Sequence, residues 1–156
     1  MEIIPYTDKY KERVIELIFG ILENEFGRHS KNGRPDLYNI NKEYQRNNGN
    51  FWLAFDNENV IGTIALRDCG NSQGFLERMY VKKELRRTGL GTKLLSVLIN
   101  FAKDKNYKEI FLSTWEETVS ANNFYVKNNF EKVKALPENI ANRSSSDKIF
   151  YKLELK

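Results

Sequence analysis

Apolar and polar positions alternate along some stretches of the chain and recur every three to four residues along others. Alternation indicates a half-buried strand, and a repeat near 3.6 residues indicates an amphipathic helix. The alternating stretches predict strands at Glu2–Tyr6, Asn50–Phe55, Val60–Arg67, Phe75–Val81, Glu109–Thr114, Phe130–Ala135 and Lys148–Leu155. The helical repeats predict one helix capped by Thr7 and ending near Gly27, and others over Asp36–Arg46, Gly89–Lys105 and Val119–Lys127.

The predicted order of elements is β-α-α-β-β-β-α-β-α-β-β, in which Asp56–Asn59 is a hairpin turn. Hairpin strands followed by βαβ crossovers imply a mixed sheet with helices on both faces, so the predicted fold class is α/β with a mixed α+β sheet. Two polar stretches, Gly27–Pro35 and Glu138–Asp147, are expected to be loops. Because no linker or repeat divides the chain, we expect one domain over residues 1–156.

The composition is that of an ordinary globular protein, with 40% hydrophobic and 29% charged residues. No apolar run approaches the roughly 20 residues of a membrane span, and the chain does not begin like a secretory signal. We therefore expect a cytoplasmic protein with no membrane partner. The single cysteine, Cys69, cannot form an internal disulfide, and one cysteine with one histidine predicts no metal site.

The chain is modestly basic, with a net charge of +4 and a pI of about 9.1. Such a charge suits either nucleic acid or a small polyanionic ligand. The tight basic clusters are Lys82-Lys83 and Arg86-Arg87, whereas a nucleic-acid surface needs a longer basic stripe. Nucleic acid is therefore not the expected partner, and a nucleic-acid binder would show duplex affinity with a steep salt dependence.

The strongest chemical signal is the turn Arg86-Arg87-Thr88-Gly89-Leu90-Gly91, which joins the strand ending in Met79–Val81 to a long amphipathic helix. A helix start presents unpaired N–H groups and a partial positive charge. The two glycines let a phosphate approach the backbone, and the two arginines add donors that match phosphate oxygens. The turn lacks the spacing of a P-loop or a dinucleotide fingerprint. The alternative is that the glycines only form a tight turn.

The spacing Arg86-x-x-Gly89-x-Gly91 resembles the acyl-CoA signature of the GNAT superfamily of N-acetyltransferases, and the similarity extends over roughly Phe51 to Val133. A second segment, Ser120–Phe130, resembles that superfamily's Ala-x-x-Phe/Leu-Tyr-x-x-x-Gly-Phe stretch. Two positions depart from the pattern. Thr118 stands where an asparagine is common, which leaves one coenzyme contact in doubt, and Asn129 replaces the glycine before the final phenylalanine.

The resemblance implies acetyl-CoA as co-substrate and transfer of its acetyl group to a primary amine of a small molecule or a protein. The strands holding Met79–Val81 and Ile110–Ser113 are expected to splay apart and admit the pantetheine arm. A main-chain N–H near Met79 or Tyr80 would then stabilise the oxyanion. The positions expected to contact the coenzyme are Met79, Tyr80, Val81, Arg86, Arg87, Thr88, Gly89, Leu90, Gly91, Thr92 and Thr118.

Two residues are the expected catalytic groups. By the resemblance, Tyr125 is the general acid for the departing thiolate; its alternative role is that of a core tyrosine. An attacking amine with a pKa near ~10.4 also needs a base, for which Glu77 is the candidate. Glu77 lies two residues before Met79, so the two side chains are expected to share a strand face. The alternative is a carboxylate that is solvated or paired with a basic residue on a neighbouring strand.

The sequence leaves the acceptor amine and the oligomeric state open, with a homodimer as one outcome. By the resemblance, acceptor specificity lies in Glu23–Arg46 and Leu136–Lys148, and carboxylates in the first segment could attract a cationic amine. Those carboxylates are Glu23, Glu25, Asp36 and Glu43. The alternative function is a non-catalytic acyl-CoA-binding or regulatory module of the same fold.

Overall fold

A computed structural model describes residues 1–28, 33–115, 119–141 and 149–156. The strands are β1 Glu2–Pro5, β2 Asn50–Asp56, β3 Asn59–Asp68, β4 Gln73–Val81, β5 Glu109–Thr114, β6 Glu131–Val133 and β7 Ile149–Glu154. The helices are α1 Lys11–Phe26, α2 Ile40–Tyr44, α3 Leu90–Asp104, α4 Val119–Lys127 and α5 Glu138–Ala141. Each predicted strand therefore has a counterpart in the structure.

The strands form one sheet in the order β1-β2-β3-β4-β5-β7-β6. The pair β4–β5 is parallel and the other pairs are antiparallel, which confirms the predicted mixed sheet. A parallel pair needs a long crossover, and α3 supplies it between β4 and β5. The helix that begins at the phosphate-type turn is thus also the connection that places β5 beside β4.

The sheet separates two apolar clusters, because successive side chains of a strand point to opposite faces. One cluster contains Leu94 and Leu98 of α3 together with Tyr125 of α4. The other contains Val14 and Ile18 of α1 together with residues of α2. Helices therefore cover both faces, as the order of elements predicted.

The predicted helix Asp36–Arg46 is wrong as one continuous element. The structure has a 3-10 turn at Pro35–Tyr38, followed by the five-residue helix α2. Asn39 separates them, because its backbone angles of φ −140° and ψ 49° lie outside the helical region. The interruption directs the Asp36 side chain towards the sheet, where it contacts β4.

Two further predicted boundaries differ from the structure. Thr7 does not cap α1, because a 3-10 turn at Asp8–Tyr10 comes between them and the Thr7 side chain makes no capping bond. Helix α5 lies inside the stretch that was expected to be a loop. No helix in the described part of the chain is both long enough and apolar enough to span a membrane.

Candidate active site

Strand β4 diverges from β5 partway along its length. The two strands pair only over Gln73–Phe75 of β4, which lie opposite Glu109–Phe111 of β5. Beyond Phe75, the edge of β4 that faces β5 has no strand partner among the described residues. The divergence expected from the resemblance is therefore confirmed, and it leaves an edge that can pair with the amides of an extended ligand.

A β-bulge in β4 accompanies this divergence. Across the β3–β4 pair, Ala65 lies opposite Glu77 and Thr63 lies opposite Tyr80, so β4 carries one extra residue between them. Arg78 occupies the bulge with φ 53°, in the left-handed region. An extra residue reverses the alternation of side chains beyond it.

The reversal corrects the expected position of Glu77. Met79 packs against the apolar cluster on the α3 side of the sheet, whereas Tyr80 packs on the α1 side. Glu77 accepts its hydrogen bonds from Tyr44 and Arg67, which belong to the α1 side. The prediction that Glu77 and Met79 share a face is therefore wrong, because it assumed an unbroken strand.

The turn before α3 has the geometry of an anion site. Arg87 and Gly89 both have left-handed backbone angles, with φ of 65° and 90°. Gly89 is the N-cap of α3, and no side chain caps the helix. The first N–H groups of the helix, at Leu90, Gly91 and Thr92, have no intrahelical acceptor. A Cβ atom built on Gly89 meets nothing within 4 Å, so the turn is open where a pyrophosphate would approach.

Arg86 is held by protein groups in this structure. Its Nε donates to the Val81 carbonyl oxygen at 3.0 Å, and its guanidinium forms a two-fold ion pair with Glu25 of α1. The Thr88 hydroxyl donates to the Leu85 carbonyl oxygen and closes the turn. Arg86 therefore ties α1 to the turn, and its expected contact with phosphate stays a prediction.

Tyr125 lies beside this turn and is 5% exposed. Its helix reaches the start of α3, because a Cβ atom built on Gly91 lies 3.5 Å from the Phe124 ring and 3.4 Å from Met79 Cε. Burial, with a contribution from Tyr80, raises the pKa of Tyr125 well above its ordinary value. Its hydroxyl forms no hydrogen bond with any described residue. The side chain is thus a neutral buried proton donor without a protein partner.

Asn122 fixes the helix that carries Tyr125. Its Oδ1 accepts hydrogen bonds from Thr114 Oγ1 at 2.6 Å and from the Tyr151 hydroxyl at 3.0 Å. Its Nδ2 donates to the Trp115 carbonyl oxygen. These bonds attach α4 to the ends of β5 and β7, so the position of Tyr125 relative to the open cleft is well defined.

A group of charged and hydrogen-bonded side chains lies on the opposite face of β4. We call it the charge cluster; its members are Asp36, Glu43, Tyr44, Arg67, Glu77 and Arg78. Arg67 Nε donates to Glu77 Oε1 at 3.0 Å, and Arg67 Nη2 donates to Glu77 Oε2 at 3.2 Å. Arg67 also pairs with Glu43 of α2. Glu77 thus has the neighbouring-strand partner that its alternative role predicted, and its role as base stays a prediction.

The second ion pair of the charge cluster joins Asp36 to Arg78. Arg78 Nε and Nη2 lie 2.9 and 2.8 Å from the two Asp36 oxygens. The Tyr44 hydroxyl is 2.6 Å from Asp36 Oδ2 and 2.8 Å from Glu77 Oε2, so it bridges both carboxylates. Burial acts to raise the pKa of Asp36, but the Arg78 interactions outweigh it and hold this pKa below its ordinary value. Burial raises the pKa of Tyr44, which therefore stays a donor.

Comparison with known proteins identifies the family. Residues 15–130, more than half of the chain, match the sequence model of the acetyltransferase (GNAT) family. The chain belongs to the GNAT acetyltransferase family. A GNAT-family acetyltransferase from Staphylococcus aureus Mu50 is 38% identical to it in sequence, with 99% of each chain covered and a TM-score of 0.94. The resemblance and the fold class expected from the sequence are both confirmed.

Other relatives of this GNAT chain match less of it. N-acetyltransferase family 8 member 2 of Rattus norvegicus is 30% identical over 76% of this chain and 54% of its own length. A candidate streptothricin acetyltransferase from Bacillus anthracis, solved in complex with acetyl coenzyme A, is 27% identical over 73% of this chain and 67% of that one, with a TM-score of 0.60. The chain spans 65%, 54% and 46% of the first three curated relatives that it matches. Acetyl-CoA binding is thus supported by solved GNAT neighbours.

Most predicted site residues of this GNAT acetyltransferase lie together. Gly91 lies beside Met79 of β4 and Phe124 of α4, so the start of α3 meets both elements, whereas Thr118 lies outside the described residues. Sequence reasoning missed the pairing within the charge cluster. The available signal was two arginines, at 67 and 78, inside strands that are otherwise largely apolar.

The carboxylates expected to attract a cationic amine have arginine partners in this structure. Glu25 pairs with Arg86, Asp36 with Arg78, and Glu43 with Arg67. Glu23, the fourth of them, also has a partner. At Glu25, Asp36 and Glu43, an incoming amine would therefore meet carboxylates whose charge is already compensated.

Proposed function

We propose that this chain is an acetyl-CoA-dependent N-acetyltransferase that transfers the acetyl group directly to a primary amine of a small molecule or a protein, with residues 1–156 acting as one domain. The observation that carries the proposal is the occurrence, at one end of β4, of three groups that have no partner among the described residues. These are the free edge of β4, the open helix start at Gly89, and the Tyr125 hydroxyl. Acetyl-CoA offers a matching set of groups: pantetheine amides, a pyrophosphate and a thioester.

The proposed reaction is attack of a neutral amine nitrogen on the thioester carbonyl carbon. The new C–N bond forms as the C–S bond breaks, and negative charge passes from the carbonyl oxygen to the sulfur. A main-chain N–H near Met79 or Tyr80 would stabilise the oxyanion, an effect worth roughly 2.7–4 kcal/mol per donor. Tyr125 donates its proton to the thiolate and regains one from solvent.

The amine must lose a proton, and we propose that Glu77 takes it through a water molecule. Glu77 accepts two hydrogen bonds from Arg67, and its Oε2 shares the single hydroxyl proton of Tyr44 with Asp36. A carboxylate has about four lone-pair positions, so one position is left for a water. Direct contact of Glu77 with the amine is not required.

The test is release of coenzyme A, followed with a thiol reagent across a panel of amines. The panel contains peptides with a free N-terminus or a lysine, linear polyamines, and streptothricin, after which a relative is named. Acetyl-CoA-dependent release with at least one amine, largely lost in the Tyr125→Phe variant, is the expected result. Tight coenzyme binding without turnover on any amine would instead favour the non-catalytic module.

A further inference from the structure

We infer that Asp36 is a positioning residue for the coenzyme cleft, because its ion pair with Arg78 holds the bulge at which β4 leaves β5. The inference rests on the proposed function for the identity of the ligand in the cleft. The contacts that support it belong to the charge cluster, on the face of β4 opposite the coenzyme side.

The ion pair joins two distant parts of the chain. Asp36 lies in the 3-10 turn Pro35–Tyr38, 42 positions before Arg78. The exposed fractions of the two side chains are 14% and 17%, so solvent screens the pair only weakly. Both carboxylate oxygens accept from the guanidinium, and this two-fold geometry fixes orientation as well as distance.

The bulge residue needs such support because of its backbone. Arg78 has φ 53°, a conformation that residues with a Cβ atom disfavour and that glycine adopts readily. Its carbonyl oxygen accepts a hydrogen bond from Thr63 Oγ1 at 2.7 Å, and Thr63 is fully buried. Arg78 is therefore held at its side chain by Asp36 and at its main chain by Thr63.

Loss of the bulge would change the cleft directly. If residue 78 returned to an extended conformation, the alternation would become regular and every following side chain of β4 would change face. Those residues are Met79, Tyr80 and Val81, the part of β4 predicted to contact the coenzyme. Asp36 thus acts on the reacting groups through the backbone of β4, without touching the ligand.

The rest of the charge cluster leaves no substitute for Asp36. Glu77 is already paired with Arg67 through both oxygens, and Glu43 is paired with the same arginine. Tyr44 donates its hydroxyl proton and supplies no charge to Arg78. Removal of the Asp36 charge therefore leaves Arg78 without a carboxylate partner.

The test compares Asp36→Asn, Arg78→Ala and Arg78→Gly by kcat, KM and coenzyme A affinity. A displacement of about 1 Å at a reacting group can cost about 10²-fold in rate, so we expect a kcat loss of that order for Asp36→Asn and Arg78→Ala. Arg78→Gly should recover most of it, because glycine keeps the left-handed conformation without the ion pair. Glu109→Gln, which removes a half-buried carboxylate paired with Lys152, is the control with unchanged kcat.

Thermal unfolding separates positioning from general destabilisation. Equal losses of kcat in the alanine and glycine variants, in step with their loss of stability, would overturn the inference. So would wild-type kcat and coenzyme A affinity in Asp36→Asn. If Asp36→Asn does not fold, the double variant Asp36→Ala/Arg78→Gly replaces it, because it removes both charges. Its kcat and coenzyme A affinity should equal those of Arg78→Gly.

A readout without turnover keeps the inference separate from the proposed function. Amide hydrogen exchange over residues 76–81 should speed up in Asp36→Asn, and coenzyme A binding should weaken. Both results are expected even if no amine in the panel is acetylated. Unchanged exchange and unchanged coenzyme A affinity would reject the role of Asp36 whatever the acceptor.

Discussion

The polar groups on the two faces of β4 differ in whether they have partners within the protein. On the coenzyme side, the Tyr125 hydroxyl has no hydrogen-bond partner among the described residues, and the start of α3 carries no side-chain cap. On the other side, each carboxylate of the charge cluster is paired with an arginine. The difference separates groups without a partner among the described residues from groups whose charge is already compensated.

The energetics support this distinction. The Tyr125 hydroxyl makes no hydrogen bond with a described residue, so its polar group contributes no protein hydrogen bond to stability. A buried ion pair, by contrast, contributes little net stability but fixes geometry. The comparison therefore predicts that changes on the coenzyme side affect turnover, whereas changes within the charge cluster also affect stability.

The largest expected effect is that of Tyr125→Phe. General acid catalysis contributes roughly 10²–10⁴-fold, so kcat should fall by about 10³-fold while the acetyl-CoA affinity stays near that of the wild type. Stability should not fall, because the lost hydroxyl has no protein partner. Steady-state kinetics with thermal unfolding measure both quantities.

Tyr107→Phe is the matched control for Tyr125. Tyr107 is a buried tyrosine of the same apolar cluster whose hydroxyl donates to the Asn48 carbonyl oxygen, so its variant should lose about 1 kcal/mol of stability and keep its kcat. Equal kcat losses in the two variants would make Tyr125 structural. Burial raises the pKa of Tyr125, so its hydroxyl should stay protonated up to pH ~10. The kcat of the wild type should therefore not fall below that pH through loss of the Tyr125 proton.

The next largest effect is expected for Glu77→Gln. If Glu77 is the base, kcat/KM should fall by about 10²-fold, at the lower end of the range for acid–base catalysis, and its pH dependence should change. Glu43→Gln is the control, because Glu43 shares Arg67 with Glu77 but lies on α2. An unchanged pH–rate profile in Glu77→Gln removes this residue from the mechanism.

Gly89→Val tests the open turn before α3. Its effect should be smaller and should be seen in the affinity for coenzyme A. A valine side chain would occupy the open space where a phosphate is expected to approach, so coenzyme A should bind about tenfold more weakly, a loss of about 1.4 kcal/mol. The left-handed backbone separately adds strain of roughly 1–2 kcal/mol to the fold. Gly70→Val carries similar strain at φ 79° in the β3–β4 turn, again with open space around it. Titration calorimetry should show weaker binding in the first variant alone; equal weakening would contradict a phosphate role for the turn.

The smallest expected effect concerns stability in acid. The folded pKa of Asp36 lies below its unfolded value of about 3.9, so its ion pair stabilises the protein above that pH and loses this contribution as pH falls through the folded pKa. Asp36→Asn should lower the free energy of unfolding by about 1 kcal/mol near neutral pH. Denaturant unfolding at several pH values should show this difference narrowing below pH ~4. A constant difference would mean that the Asp36 charge is not its source.

The sequence by itself determined the order of elements, the fold class and the position of the glycine turn before α3. These depend on local information: apolar periodicity decides strand or helix, and two glycines before an apolar helix mark an anion site. The continuous helix at Asp36–Arg46 was predicted wrongly because helix propensity is a weak guide where tertiary contacts compete. Asp36 makes such a contact, with β4.

Only the tertiary structure decided which face of β4 carries Glu77 and which carboxylates are compensated. The bulge at Arg78 depends on Asp36, 42 positions away, and the state of Arg86 depends on Glu25, 61 positions away. No local sequence pattern reveals such distant pairs. The same alternation of apolar and polar residues can occur in a regular strand and in a bulged one. Periodicity therefore located the strands that diverge, and long-range charge pairing determined which polar side chains beside them are compensated.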